Sequence, residues 1–287
     1  MTNLDPVPAV VVGVDDSPAS RSAARIAMGL AAAQKRPLHL VTVVSQIGFP
    51  LPLPAETLDG EWQVLRDLER EAADAFPDLE VISEMRMGDA APVLKQQAKK
   101  HSLLVVGKRG RGTFARAVLG SVSTAVAGRS DVPVLVVPAE WWPLAHLARP
   151  VVVGIDPEED DRPVLRAAFA AAAERRVAME VVHAIKIEPL LVWDMALAGP
   201  TYRHREEADT RLLEEAVTAM QEQFPDVSTT VTTGAGDAAS VLLEHADGAQ
   251  LLVMGRHHSN HFGFGLGSQT RNVLHHSETP VLVVPTT

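Results

Sequence analysis

The sequence predicts an α/β protein of two tandem, doubly wound (Rossmann-like) domains, each a five-stranded parallel sheet with flanking helices. Three observations predict it. Short, wholly apolar, β-branched runs alternate with amphipathic helical segments; the alternation is written twice in 287 residues; and a glycine-rich loop separates one such run from the helix after it. Apolar strands belong to sheets buried on both faces, and the alternating helices supply the cover. Right-handed crossovers then wind the sheet both ways and place a ligand at the carboxyl ends of the strands, where strand order reverses.

In the first copy the first strand, 10–14, is Val10-Val11-Val12-Gly13-Val14, closed by Asp15. The first helix, 17–34, opens on Ser17 as cap and Pro18 at its first position, and gathers Ala23, Ile26, Ala27, Leu30 and Ala31 on one face. Strands follow at 38–44, 79–85, 103–107 and 132–137, with helices at 61–75, 91–100 and 121–128 between them. In the last of these, Val122, Ala125 and Val126 have helical spacing.

The second copy is visible as repeats. The run 9–15 returns at 150–156 and 38–44 at 179–185, both displaced by 141 residues. Gly88-Asp89-Ala90-Ala91 returns as Gly236-Asp237-Ala238-Ala239, displaced by 148, so about seven residues have been added after the second strand. The run 132–138 returns at 279–285. Two such copies define domains at 1–140 and 148–287, joined through 139–150, where Trp141, Trp142 and Pro143 suggest a packed linker.

Composition narrows the class. Hydrophobic residues make up 46% and charged residues 22%, enough for a full core. The chain has no cysteine, which fits a reducing compartment. Asp5 and Pro6 precede the first apolar run, which is too short for a signal or a membrane span, so a cytoplasmic protein is expected. A formal charge of −10 and only 4% aromatics argue against nucleic acid as a partner.

The chemistry gathers at one edge. Asp15 and Asp16 close the first strand, Thr42 and Val43 the second, and Gly107-Lys108-Arg109-Gly110 follows the fourth, with Gly120-Ser121-Val122-Ser123 opening the next helix. Glycines admit positive φ and close approach of a ligand to bare N–H groups, and a helix start adds unpaired donors and a favourable dipole. A carboxylate can accept from a ribose, backbone at Val43 can pair with an adenine edge, and the hydroxyls of Ser121 and Ser123 can donate to phosphate. Asp15-Asp16 has a second reading as a capping pair for the helix that follows. Lys108, Arg109, Arg111 and Arg116 form a basic patch suited to phosphate or to a solvated face.

Gly107, two residues, Gly110, nine residues and Gly120-Ser121, behind an apolar strand and with Asp closing the first strand, resembles the ATP-binding universal stress protein family in its tandem form. The resemblance covers nearly the whole chain. It implies ATP as ligand, with or without Mg, and a nucleotide-dependent regulatory role in the stress response. Gly13, Val14 and Asp15 would lie along the adenosine with Asp15 on the ribose, Val43 would meet adenine through its backbone, and Val106 and Gly107 would line base and sugar. Arg109, Gly110, Gly120, Ser121, Val122 and Ser123 would hold the phosphates. The resemblance further implies a homodimer, domains paired through their last strands, and a protein partner the residues do not name.

The second copy departs from the pattern. Asp156, Ala184, Gly255, Gly267, Ser268 and Thr270 persist, but the loop is one residue shorter and His258 replaces Gly110. The second site is expected either to bind no nucleotide or to bind it in a weaker or altered way. His257, His258, His261, His275 and His276 lie close together without a carboxylate or cysteine at firm spacing, and polar surface or phosphate contact is the plainer reading than a metal. The proline-bearing stretch 46–56 reads as a lid or a stiff connection; its counterpart, 186–205, carries Trp193, Tyr202 and His204. No Gly-x-x-x-x-Gly-Lys-Ser/Thr loop occurs, because Thr113 follows Gly112, so a binding protein is favoured over a slow ATPase or phosphotransferase. Asp15-Asp16-Ser17 in place of Gly-x-Gly-x-x-Gly disfavours a dinucleotide or flavin carrier.

Overall fold

The computed structural model describes residues 7–45, 55–111, 119–141, 143–186, 195–256 and 266–286. The chain divides into two compact units, Met1–Trp141 and Trp142–Thr287. In the first, β1 (Val10–Val14), α1 (Pro18–Gln34), β2 (Leu38–Val44), α2 (Ala55–Ala75), β3 (Val81–Met87), α3 (Ala90–Ala98), β4 (Leu103–Gly107), α4 (Ser121–Arg129) and β5 (Val134–Val137) follow in turn. The strands pair in parallel in the order β3-β2-β1-β4-β5. Strand order therefore reverses between β1 and β4.

The second unit repeats the plan. Its elements are β6 (Val151–Gly154), α5 (Arg162–Arg175), β7 (Met179–Ile185), α6 (Met195–Gln221), β8 (Thr229–Ala235), α7 (Ala238–Ala246), β9 (Leu251–Arg256), α8 (Ser268–His276) and β10 (Val281–Pro285). The strands are again parallel, in the order β8-β7-β6-β9-β10. Among the described residues, no helix is long and apolar enough to cross a membrane.

The β-branched runs form strands because both faces are covered: Val10, Val11 and Val12 are wholly buried, as are Val151, Val152 and Val153. Small residues let α1 approach the sheet. Ala23, Ala24, Ala27 and Ala31 are fully buried, and the helix packs on β1 and β4. Ser17 caps α1, its Oγ accepting from Ser20 N at 3.2 Å, with Pro18 in the first turn. The helix ends at Lys35 in the left-handed region (φ 51°), where Arg36 N reaches Ala31 O at 2.9 Å. Arg176 ends α5 the same way, at φ 55°. The repeated Gly-Asp-Ala-Ala is a strand-to-helix turn: Gly88 (φ 133°) and Gly236 (φ 142°) adopt backbone open to glycine, and Asp89 and Asp237 become N-caps.

Several boundaries move from the sequence reading. The third strand begins two residues later than 79, because Leu79 N closes the turn behind α2 by donating to Phe76 O at 3.0 Å. Helix α2 starts at Ala55, so the end of the 46–56 stretch is helix, while 46–54 lies outside the described residues. Packing does not require Gly60 inside α2, since a Cβ there would meet nothing within 4 Å. Tyr202 and His204 likewise belong to α6 and not to a connection, while Trp193 lies outside the described residues.

Candidate functional site

At the carboxyl edge of the first unit, β1 delivers Asp15, β2 delivers Val43, and β4 delivers the glycine loop. Val43 is placed by register. Pro37 O accepts from Val10 N and Val44 O accepts from Gly88 N, so odd-numbered residues of β2 turn their peptide groups toward β1. Strand β1 ends at Val14, opposite Thr42, which leaves the Val43 carbonyl beyond its last residue. Gly13 and Gly107 are half-buried beside the buried Val14 and Val106.

Asp15 is half-buried and heavily bonded. Its Oδ1 accepts from Ser17 N at 3.1 Å and from Ser17 Oγ at 2.6 Å, and its Oδ2 accepts from Arg111 N at 2.8 Å. The Ser17 hydroxyl also lies 3.1 Å from Arg109 O, which ties the helix cap to the loop. Burial alone would raise the Asp15 pKa, but the bonds from Ser17, Arg111 and Ser20 outweigh it and hold the carboxyl below its ordinary value. Asp16, next along, sits at φ 62° and pairs with Arg21 through Nε at 2.7 Å.

The loop glycines serve a purpose other than the one their type suggests. Among the described glycines only Gly88, Gly236 and Gly248 have positive φ, so Gly107, Gly110 and Gly120 are not turning in the left-handed region. Space requires them instead. A Cβ on Gly107 would stand 2.7 Å from Ala19 C and Ser20 N, and one on Gly110 would stand 2.3 Å from Asp15 Oδ2. Gly120 N donates to Lys108 O at 2.8 Å, closing the loop onto the helix start.

Helix α4 begins at Ser121 and carries no side-chain cap at Gly120. The first N–H groups of an α-helix have no partner within it and suit an anion. Ser121 is exposed and Val122 half-buried at this start. The Ser123 hydroxyl is turned inward and does not offer its proton to a ligand: the residue is 2% exposed, with Oγ donating toward Gly120 O (2.9 Å) and Lys108 O (3.1 Å). Arg109 is exposed.

One residue passed over in the sequence reading, Glu61, joins the site through Arg111 and Thr42. Arg111 Nη2 pairs with Glu61 Oε1 of α2 at 2.5 Å, and Glu61 Oε2 accepts from the buried Thr42 Oγ1 at 3.1 Å. The sequence does carry a signal for this pair. The copy offsets align Thr42 with His183 and Glu61 with Asp209, so both members change together.

The second unit repeats the edge but not the turn. Ala184 occupies the register of Val43, since Ile155 N donates to Val182 O and Gly236 N to Ile185 O. Gly267 caps α8, Ser268 is exposed, and Thr270 Oγ1 donates to Gly255 O at 3.3 Å, as Ser123 does in its own loop. Asp156, however, does not repeat Asp15. Pro157 stands where Asp16 turns left-handed, and a proline ring holds φ near −65°. Helix α5 accordingly starts at Arg162, and Asp156 is exposed, accepting from Glu158 N at 3.1 Å. Asp161 takes over the role of Ser20 by accepting from Asp156 N at 2.9 Å. His183 is buried, with Nδ1 3.0 Å from Ile155 O and Nε2 3.4 Å from Asp209. His257, His258 and His261 lie outside the described residues, while His275 and His276 occupy the far end of α8 from Ser268.

The universal stress protein family model matches the chain twice, over residues 7–138 and 148–285. A universal stress protein of Mycolicibacterium smegmatis is 33% identical over 287 residues, covering 96% of each chain. One of Mycobacterium tuberculosis is 30% identical over 289 residues, covering 96% of this chain and 95% of its own. The crystal structure of a universal stress protein from Archaeoglobus fulgidus shares the fold, with TM-score 0.71 at 19% identity over 98% of this chain and 97% of that one. This chain therefore belongs to the universal stress protein family and carries the family's domain twice in tandem.

Proposed function

We propose that the first unit binds ATP and that the protein acts as a nucleotide-dependent regulator. The observation that carries this reading is the convergence, at the switch point between β1 and β4, of three groups: the Asp15 carboxylate and, without hydrogen-bond partner or side-chain cap among the described residues, the Val43 carbonyl and the start of α4. Together they offer an acceptor for an adenine amine, an acceptor for ribose hydroxyls and donors for phosphate. Asp15 suits binding better than catalysis. Held below its ordinary pKa by Ser17 and Arg111, it accepts hydrogen bonds well and takes protons poorly. Its oxygens already face N–H and O–H donors, which does not fit a Mg ligand; a magnesium ion accompanying ATP would be held by phosphate oxygens and water. The exposed Asp156 and the Pro157 turn support a weaker or altered second site.

The test is calorimetric titration of the full chain with ATP, together with mass spectrometry of any ligand released on denaturation. Asp15→Asn should weaken ATP by about tenfold or more, the scale of a hydrogen bond to a charged group, whereas Asp156→Asn should change it less than about threefold. Equal losses from the two variants, or a wild-type chain that takes up no adenine nucleotide, would refute the reading.

A further inference from the structure

We infer that the glycine loop of the first unit is latched onto Asp15 in the ligand-free chain, and that Glu61 sets the strength of the latch and with it the affinity of the nucleotide site. The inference rests on the reading that this unit binds a nucleotide. A ribose would bring two hydroxyl donors to a carboxylate whose places are largely taken. Oδ1 receives both donors of Ser17, Oδ2 receives Arg111 N at 2.8 Å, and Gly110 is packed so closely that a Cβ would lie 2.3 Å from Oδ2. The loop's own backbone thus occupies the oxygen that the sugar needs.

The Arg111 side chain holds that backbone in place. Its guanidinium reaches Glu61 Oε1 at 2.5 Å, and the Glu61 side chain is only 11% exposed against 50% for Arg111. Glu61 is itself fixed by Thr42, which is 1% exposed and donates to its other oxygen at 3.1 Å. A continuous chain of contacts therefore runs from buried β2 through α2 and the loop to Asp15, with its rigid end in the core and its exchangeable end at the ligand.

The second unit lacks this connection among the described residues. Asp209, aligned with Glu61, meets Arg205 of its own helix at 3.5 Å, and Arg205 meets Glu158 at 2.7 Å. The arginine at that edge comes from α6.

A closed fraction of the protein lowers apparent affinity in proportion to the competent fraction, so weakening the latch must tighten binding. Glu61→Gln keeps a hydrogen-bonding partner for Thr42 and removes the ion pair. Titration of the full chain with ATP should give binding about 3- to 10-fold tighter in Glu61→Gln than in the wild type, the range set by a partly exposed pair. Hydrogen exchange in the ligand-free state should be faster at the Arg111 amide in Glu61→Gln, and likewise in Arg111→Gln, which breaks the same pair from the loop side. Unchanged or weaker ATP binding in Glu61→Gln, or unchanged exchange in both variants, overturns the latch. If ATP binds the wild type but neither readout moves, the latch alone has failed. If exchange accelerates while no variant binds ATP, the nucleotide reading has failed and the closed loop stands.

Discussion

Replacing Gly107 and Gly110 singly by alanine separates two roles within one loop. At Gly107 the new Cβ would lie 2.7 Å from Ala19 C and Ser20 N and 2.9 Å from Ala19 Cβ. Two of these are backbone atoms in the first turn of α1, which is pinned by the Ser17 cap and by its packing on β1 and β4. Relief requires moving the helix off the sheet. Overpacking of this kind costs about 1–3 kcal/mol, which for a unit of this size lowers Tm by roughly 3–12 °C. At Gly110 the Cβ would meet a carboxylate tip at 2.3 Å, and a side chain can swing where a helix cannot. The fold should survive with Tm within about 2 °C, but the Cβ pushes the loop off Asp15 and opens the latch, so ATP should bind about 3- to 10-fold more tightly. Scanning calorimetry without ligand and titration with ATP measure the two effects. A Gly107→Ala protein that melts with the wild type, or a Gly110→Ala protein that binds ATP as the wild type does, would refute the reasoning.

Two further outcomes concern stability. Lys35 and Arg176 end their helices at φ 51° and 55°, a region that costs a non-glycine residue about 1–2 kcal/mol; after glycine's larger unfolded-state entropy, Lys35→Gly should gain roughly 0.5–1 kcal/mol by urea denaturation. His39 and His101 stand 5.8 Å apart, and His101 Nδ1 accepts from Ala9 N at 3.0 Å. Burial lowers the pKa of both; His101 is pushed down further by His39 and Lys100, while Glu84 partly offsets the shift on His39 and Arg86 adds to it. The unfolded chain therefore takes up these protons first. The contribution to stability is complete above the ordinary histidine value of about 6.5 and declines as pH falls below it. The urea midpoint should drop between about pH 7.5 and about pH 5.5, and less steeply in His101→Asn, which keeps an acceptor that does not titrate.

The fold was legible because its signals are long-range and redundant: wholly apolar strands, an alanine-rich helix face and a period of 141 residues all point to covered parallel sheets. Helix starts were less legible where prolines and Gly60 mask the onset of α2. The edge of the site followed from strand ends alone, and register then placed the Val43 carbonyl. The particular use of each glycine was not legible. Residue type shows that a Cβ is missing, but only packing shows that Ala19 fills one gap and Asp15 the other. The inward turn of the Ser123 hydroxyl was hidden for a related reason, since only the folded loop brings Gly120 O and Lys108 O within its reach. The change at Asp156 was in plain view, because Pro157 cannot take the backbone angle that Asp16 takes.

That proline also bears on how the second unit could be rebuilt. Restoring a glycine in place of His258 would leave Asp156 facing solvent, because the obstacle lies in the turn that follows its strand. A graft would have to exchange Pro157 for a residue that tolerates positive φ, set a serine at 158 to hold the carboxylate, and return 161 to serine so that the helix starts earlier. No one of these changes is useful alone. The two halves of the chain thus differ by a set of coupled positions in the turn after their first strand, and the difference in their carboxylates is one of backbone and not of the loop alone.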